Sequence, residues 1–253
     1  MKITFLGTNG WYDTNTGNTI CTLIETKDCF VVLDAGSGFY KLDEHIKSEK
    51  PIFLFLSHFH LDHIIGLHCK NKFNFKQGIS VYGQKGTKDI LNKIINQPFT
   101  VPFKHEWMSF NMEVYDLSEQ KNNLPFSVKF KPMFHWSPCL GFRFKFEEKI
   151  VSYCIDTGPC ENLLELSQNV DILITECSFR INETYNPQTH LNPGLAAEIA
   201  KKSNVKNLAL THFDAYRYKT IEQRKEAEKF AKNIFKNTFV ATDDMKLKFN
   251  DEF

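Results

Sequence analysis

The sequence lacks a long apolar run and a paired-cysteine motif. No apolar segment approaches the roughly 18 residues that a membrane-spanning helix needs. The start MKITFLG is too short and too alternating for a signal peptide. The seven cysteines are odd in number and none forms a CxxC pair, which favours free thiols in a reducing cytosol over a disulfide framework. These absences predict a soluble, cytoplasmic protein without a membrane partner.

The chain also has almost no net charge and no stretch with the composition of an interdomain linker. The 31 basic and 30 acidic residues leave a formal charge of +1. That balance gives no strong overall field for attracting a long polyanion such as RNA, although a local basic patch is left open. No stretch is rich in Pro, Gly or Ser, and no repeat is present. Because hydrophobic residues make up 42% of the chain, a sizeable core can form. The sequence therefore predicts one domain over residues 1–253.

Strand-like runs dominate the first half of the chain, and strands alternate with helices later. Ile52–Leu56 is continuously apolar, which is typical of a strand buried on both faces. Ser127–Met133 and Leu140–Phe146 predict an antiparallel pair, while Glu161–Ser167 and the segment from Pro193 predict helices. This order favours the α/β class, with two sheets sandwiched between helices.

Metal-ligand side chains follow the buried strand at once, in the pattern HxHxDH formed by His58, His60, Asp62 and His63. A turn at this place can aim His58 and His60 at one point and Asp62 and His63 at another. Imidazole nitrogens and carboxylate oxygens suit zinc and similar divalent ions. The alternative is a histidine-rich surface loop, which would leave the next features as coincidences.

Three further ligand-type residues stand at strand ends. His135 lies in a turn between two predicted strands, Asp156 ends the strand Val151–Ile155, and His212 ends the strand Leu208–Thr211. Each alone would more often be a structural residue, but strand ends that face a loop rim are where sites are usually built. Together with the HxHxDH cluster, they predict a metal centre.

These seven residues resemble the metal-binding set of the metallo-β-lactamase superfamily, and the resemblance covers nearly the whole chain. It implies a four-layer αβ/βα sandwich with a two-metal centre at the edge of its two sheets. By this resemblance, the first ion would be held by His58, His60 and His135, the second by Asp62, His63 and His212, with Asp156 and an attacking hydroxide bridging both. Asp62 is therefore also expected to be required for catalysis. Zinc is favoured as the metal, and manganese and iron are left open.

Further motifs resemble the ribonuclease Z-like phosphodiesterases within this superfamily. The start Phe5–Gly10 (FLGTNG) is similar to their FLGTxG, and Leu33–Gly36 to their strand-end acidic turn. Thr211–Tyr218 resembles their THFSxRY segment, with aspartate in place of serine and one extra residue. Glu176 and His190 look like their Glu/His pair, in which an oriented histidine protonates a departing alkoxide. The alternatives are a solvated strand-end charge for Glu176 and a helix-entry role for His190.

The substrate class depends on the length of one connection. Ribonuclease Z that processes tRNA usually carries a long Gly/Pro-rich arm between the residues that match His135 and Asp156, but here only 20 residues separate them. Arm-less relatives resemble phosphodiesterases of small substrates. The leading hypothesis is therefore a phosphodiesterase of small nucleotides, most of all 2′,3′- or 3′,5′-cyclic ones. The runner-up is a tRNA 3′-processing endonuclease, which leaves RNA open as a partner, and a thioester or lactone hydrolase comes third. The resemblance also implies a homodimer.

Candidates for substrate contact carry weaker signals. Arg217 and Tyr218, like Tyr216 and Trp11-Tyr12, could contact a base or a phosphate, and packing is an equal alternative for all of them. Lys70–Lys76 interleaves lysines with aromatic residues, a composition that could bind phosphate and stack a base. An amphipathic edge segment with solvated lysines is the favoured interpretation of that stretch.

Overall fold

The computed structural model describes residues 1–103, 110–119 and 124–249. The described residues form two compact units. Unit 1 takes them from Met1–Gly7, Ile20–Pro125 and Asp244–Phe253, and unit 2 from Thr8–Thr19 and Phe126–Asp243. Each unit is built around its own sheet, and the single domain over residues 1–253 stays a prediction.

The strands and helices follow one another along both units. In chain order the strands are β1 (Lys2–Gly7), β2 (Asn9–Gly10), β3 (Cys21–Glu25), β4 (Phe30–Leu33), β5 (Ile52–Phe55), β6 (Ile79–Gly83), β7 (Met112–Asp116), β8 (Ser127–Pro132), β9 (Leu140–Phe146), β10 (Lys149–Cys154), β11 (Ile172–Glu176), β12 (Leu208–Thr211), β13 (Phe213–Asp214), β14 (Thr238–Val240) and β15 (Lys246–Lys248). The α-helices are α1 (Leu42–His45), α2 (Leu61–Ile64), α3 (Thr87–Ile94), α4 (Glu161–Ser167), α5 (Pro193–Lys202) and α6 (Ile221–Lys232). Short 3-10 helices span Ser37–Lys41, Ile65–Lys72 and Leu117–Glu119.

The sheet of unit 1 has seven strands in the order β15-β1-β3-β4-β5-β6-β7. Strands β3 and β4 form an antiparallel hairpin. From β4 to β7 the strands run parallel, and every residue of β5 is buried, as its apolar run predicts. The parallel direction brings the carboxyl ends of β4 and β5 to one edge of the sheet.

The main sheet of unit 2 has six strands in the order β14-β12-β11-β10-β9-β8. Strands β10, β11, β12 and β14 are parallel, and β8 and β9 form the predicted antiparallel pair. Helix α5 begins at Pro193 as predicted, where the Asn192 side chain accepts a hydrogen bond from the Leu195 amide. A small parallel pair, β2 with β13, lies apart from the main sheet.

The lysine–aromatic stretch Lys70–Lys76 is amphipathic as the favoured interpretation predicts, with Lys72 and Lys76 exposed, except that its first lysine is buried. Lys70 is buried, and its ammonium group donates to the Val101 carbonyl at 2.9 Å. Phe73 and Phe75 belong to the apolar core of unit 1 and stack on each other at 5.0 Å. Because both rings are buried in the core, they offer no platform for a base.

The remaining expectations concern membranes and thiols. Within the described residues, no helix combines the length and the apolar composition that crossing a bilayer requires. All seven cysteines are free, and five of them are buried. Burial raises the pKa of the Cys177 thiol to about 12, which makes this thiol a core residue and not a nucleophile.

Candidate metal centre

In unit 1 the HxHxDH segment leaves the sheet at the carboxyl end of β5. Leu33 pairs with Phe55 across the parallel strands β4 and β5, so the residues that follow these strands lie side by side. Asp34 has a left-handed φ of 57° and its amide donates to the Phe55 carbonyl at 2.9 Å. The segment then enters the short helix α2, which buries His63 and leaves His60 exposed.

Asp34 organises this segment. Its Oδ1 accepts the Ser57 amide at 2.7 Å, and its Oδ2 accepts the Ser57 hydroxyl at 2.8 Å. The same Oδ2 lies 2.9 Å from His63 Nδ1, and the Ser57 hydroxyl lies 3.1 Å from His58 Nδ1. All four side chains are fully buried. The Leu33–Gly36 motif supports the family resemblance, but nothing in the sequence alone predicts this role for Asp34.

The network determines which nitrogen each histidine can offer to a metal. Because Nδ1 of His58 and of His63 faces the Asp34–Ser57 pair, Nε2 is the nitrogen on the other side of each ring. His63 Nε2 lies 3.6 Å from Asp62 Oδ2, and the rings of His58 and His60 are 4.4 Å apart. Imidazoles oriented by a buried carboxylate are what divalent metal sites use, so this donor set fits such an ion.

Replacing Asp34 with asparagine should weaken metal binding. One acceptor oxygen is lost, so the Ser57 and His63 donors can no longer all be paired. We expect the metal affinity to fall about 10- to 100-fold, measured by competition with a chelator. Asp43→Asn is the matched control, because Asp43 forms an exposed ion pair with Lys72 in the same unit. An unchanged affinity in Asp34→Asn would show that Asp34 does not orient the ligands.

In unit 2 the carboxyl ends of three parallel strands carry the predicted residues. Cys154 pairs with Thr175, and Glu176 with Thr211, so Asp156, Glu176 and His212 follow or end neighbouring strands at the same edge. Asp156 and His212 have left-handed φ values of 50° and 48°, conformations that non-glycine residues rarely adopt and that gather at functional sites. His212 Nδ1 lies 3.5 Å from Asp156 Oδ1.

The loop that carries His135 is tied to the turn that carries Asp156. Gly158 donates its amide to the Phe134 carbonyl at 2.9 Å, and the Phe134 amide donates to the Thr157 hydroxyl at 3.3 Å. A Cβ on Gly158 would lie 1.7 Å from the Gln188 carbonyl oxygen, so only glycine fits there. His135 and Asp156 consequently offer ligand atoms within 4.8 Å of each other.

The predicted Glu176–His190 pair is present in unit 2. His190 Nδ1 lies 3.1 Å from both carboxylate oxygens of Glu176 and 3.4 Å from Asp156 Oδ1. Glu176 is fully buried and also accepts the amides of Thr157 and Leu191. Burial lowers the pKa of the His190 imidazole, but the charge and hydrogen bond of Glu176, with smaller contributions from two aspartates, outweigh it and raise this pKa to about 9. Glu176 is thus a buried partner of His190, and not a solvated charge.

The His212 ring packs closely against the backbone of Gly10. Strand β2 pairs with β13, so Asn9 faces Phe213 and Gly10 faces Asp214. A Cβ at position 10 would meet His212 ring atoms at 2.5 to 2.9 Å. A side chain at position 10 would clash with His212, which is why the last residue of the FLGTNG motif must be glycine. The motif alone does not reveal this reason.

Gly10→Ala should displace the His212 ring. A misplacement of about 1 Å can cost about a hundredfold in rate, and we expect a loss of that size together with fewer than two bound ions per chain by elemental analysis. Gly194→Ala is the control, because its backbone is not left-handed and a Cβ there meets nothing closer than the Phe230 ring at 3.2 Å. If Gly10→Ala kept its metal content and its rate, the close fit of Gly10 to His212 would have no functional role.

The structure buries Tyr218 and pairs Arg217 with carboxylates. Tyr218 is fully buried, and its hydroxyl donates to the Phe179 carbonyl at 2.7 Å. The Arg217 guanidinium is held by Glu183 at 2.9 Å and by Asp214 at 2.5 Å. Tyr218 is a core residue, so packing replaces its predicted contact with a phosphate or a base. Arg217 is paired with two carboxylates but partly exposed, and its substrate contact stays a prediction.

Comparison with known proteins agrees with these features. A family model described as "Beta-lactamase superfamily domain" matches residues 30–213. Ribonuclease Z of Methanosarcina mazei is 25% identical over 305 aligned positions, which cover 98% of each protein. The crystal structure of the metallo-β-lactamase fold protein YhfI from Bacillus subtilis has a TM-score of 0.79 at 22% identity, covering 97% of this chain and 98% of YhfI. A diphosphatase of the PhnP family has a TM-score of 0.73 at 18% identity, with 98% of both chains covered.

The matches confirm several predictions. The α/β fold class of the metallo-β-lactamases is confirmed by the family model and by the solved structures. The predicted similarity to ribonuclease Z is confirmed by the curated relatives. Metal-dependent hydrolysis is the chemistry of this fold, and the His and Asp sets described above supply its ligand types. The chain belongs to the β-lactamase superfamily of metal-dependent hydrolases.

Proposed function

We propose that this chain is a phosphodiesterase that hydrolyses small nucleotide phosphodiesters, foremost cyclic nucleotides. The observation that carries the proposal is the Glu176–His190 pair, with 3.1 Å between His190 Nδ1 and each carboxylate oxygen. An alkoxide is a poor leaving group, and a histidine oriented in this way can supply its proton. Hydrolysis of an activated thioester needs such an acid far less, so the pair favours a phosphodiester substrate.

The metal ligands are proposed as the resemblance implies. His58, His60 and His135 would hold one divalent ion, Asp62, His63 and His212 would hold a second, and Asp156 would serve both. When bound, such ions lower the pKa of water towards neutrality and offset the charge that develops on the phosphoryl group. The neutral imidazoles and the carboxylates of this set suit zinc, manganese or iron, and we propose zinc.

The proton step belongs to side chains of unit 2. The two amides that donate to Glu176 hold its carboxylate in place, and the carboxylate in turn holds Nδ1 of His190. Nε2 is therefore the atom of His190 from which a proton can pass to the departing ribose oxygen. The His190 side chain is 23% exposed, so a leaving group can approach it from solvent.

The preference for a small substrate rests on the connection between His135 and Asp156. It consists of the loop after β8, strands β9 and β10, and a tight turn at Glu147, which has a φ of 49°. None of these described residues forms an arm. The alignment to Methanosarcina mazei ribonuclease Z occupies 305 positions, 52 more than the 253 residues of this chain. The relative thus carries residues that this chain lacks.

A second candidate function is cleavage of precursor tRNA at its 3′ side. The curated relatives named ribonuclease Z favour it, because they match the chain over nearly its whole length. RNA would then be the partner. The near-neutral charge and the short connection after His135 argue against a long polyanionic substrate.

A substrate panel tests the proposal. The purified protein, with its metals counted, is incubated with 2′,3′- and 3′,5′-cyclic nucleotides, a precursor tRNA with a 3′ trailer, a thioester and a lactone. We expect the highest kcat/KM on a cyclic nucleotide. Efficient cleavage of the precursor tRNA at low enzyme concentration would replace the proposal with the second candidate. Rates on acyl substrates well above those on phosphodiesters would instead identify an acyl hydrolase.

Two further properties are proposed on the family resemblance alone. We propose that the protein is a homodimer, which light scattering on the purified protein measures directly. The cytoplasmic location stays a prediction from the sequence. Elemental analysis of protein purified without added metal identifies the bound ions, and a single dominant metal other than zinc would correct the zinc assignment.

A further inference from the structure

The segment Thr8–Thr19 of unit 2 is held by an unusually dense set of polar contacts. The Asn9 side-chain amide donates to the Tyr12 carbonyl at 3.0 Å, the Thr14 hydroxyl at 3.0 Å and the Gly17 carbonyl at 2.9 Å. The amide is fully buried together with the rest of Asn9. The segment is thereby closed on itself as a compact loop with a fixed shape.

A buried arginine anchors this loop to helix α6. Arg224 is fully buried, and its guanidinium donates to the Thr8 hydroxyl at 3.0 Å, to the Thr16 hydroxyl at 2.8 Å and to Asn9 Oδ1. It also lies over the Phe213 ring, 4.7 Å from the centroid. Burying a charge is costly unless it is well hydrogen-bonded. The arginine therefore ties the shape of the loop to Phe213, the neighbour of His212.

Trp11 stands on this rigid loop with its side chain in solvent. It is 65% exposed and has a φ of 75°, a left-handed conformation that a bulky residue rarely adopts. Its neighbour Gly10 lies directly against the His212 ring. Strained residues that the surrounding structure holds in place cluster at ligand sites, and a large exposed aromatic ring is a common hot spot for binding.

We propose that Trp11 is a stacking platform for the base of the nucleotide substrate. This proposal rests on the proposed phosphodiesterase function, and it assigns the base, rather than the phosphate or the ribose, to the Thr8–Thr19 loop. An exposed indole presents a flat π face to any base, so stacking gives affinity with little choice among bases. Since Arg224 and Asn9 hold the loop before the ligand arrives, little conformational entropy is lost on binding.

The kinetic test compares Trp11→Ala with Trp11→Phe on a cyclic nucleotide and on the matching ribose cyclic phosphate without a base. For Trp11→Ala we expect KM for the nucleotide to rise about tenfold, with kcat unchanged and no effect on the base-free substrate. Trp11→Phe should keep most of the affinity. Phe99→Ala removes another highly exposed ring outside the predicted site. It should change neither KM nor kcat for either substrate. Equal effects on both substrates, or none, would overturn the proposal.

A binding test separates this proposal from the proposed function. AMP, GMP, CMP and UMP are titrated against the metal-loaded protein while tryptophan fluorescence is recorded, with ribose 5-phosphate as the base-free probe. We expect quenching by the nucleotides alone, and its loss in Trp11→Phe. If quenching depends on Trp11 but no cyclic nucleotide is hydrolysed, the stacking site stands and the proposed function fails. If Trp11→Ala changes only the oligomeric state, Trp11 belongs to an interface between copies and the stacking proposal is wrong.

Discussion

Replacing His60 with alanine is expected to abolish hydrolysis and to reduce the metal content below two ions per chain. A metal ion contributes several kcal/mol of transition-state stabilisation, so its loss should lower kcat/KM about a thousandfold or more. His60 is exposed, and its removal leaves no cavity in the core. The folded state should therefore survive, and the melting temperature of the metal-free protein should change little.

His68→Ala is the matched control for this experiment. His68 is exposed in the same part of unit 1, and its Nδ1 lies 2.6 Å from the Ile65 carbonyl, but it belongs to no proposed ligand set. Asp62→Asn should behave like His60→Ala, because an amide is a weaker ligand for a divalent ion than a carboxylate. Full activity with two ions bound in His60→Ala would remove His60 from the metal centre, and the same result in Asp62→Asn would remove Asp62.

The second large effect is expected for His190→Ala. A positioned general acid contributes about 10²- to 10⁴-fold, so kcat on a cyclic nucleotide should fall by this factor. The metal content should stay the same, because His190 is not among the proposed ligands. On a 4-nitrophenyl phosphodiester the loss should be small, since that leaving group departs without a proton.

The leaving-group dependence is what distinguishes an acid from a structural residue. A folding or positioning defect would slow the hydrolysis of both substrates equally. Loss of the proton donor slows only the hydrolysis of the substrate whose leaving group is an alkoxide. Glu176→Gln should show the same dependence with a smaller loss, because glutamine preserves the shape of the buried carboxylate but not its charge. If His190→Ala kept its full rate on the cyclic nucleotide, the general-acid role would be wrong.

Local patterns predicted most of the secondary structure. The helix Glu161–Ser167 has the bounds that its spacing indicated, and the apolar run from Ile52 forms the buried strand β5. These elements depend on neighbours in sequence, which is why they can be predicted. Strand β7 was missed because it is an edge strand of the sheet with mostly half-exposed residues, so no apolar pattern marks it.

The favoured interpretation of Lys70–Lys76 is right for Lys72 and Lys76, which are exposed, and fails only at Lys70. Alternating lysines and phenylalanines suggested a two-sided edge segment, with the lysines in water. In the structure Lys70 is buried on the Val101 carbonyl and Phe73 packs in the core. Whether a side chain is buried depends on what the rest of unit 1 places over it, and a short pattern carries no information about that.

The sequence by itself determined the chemistry of this protein. The HxHxDH segment and three ligand types at strand ends indicate a metal-dependent hydrolase, and the Glu176–His190 pair is the basis of the proposed proton donor. Tertiary structure decided which residues support that chemistry. Asp34 lies beside His63, which is 29 positions away in the chain. Gly10 packs against the His212 ring. Tyr218 was drawn into the core. These relations arise from parallel strands that place distant residues at one sheet edge, and no local pattern encodes that register.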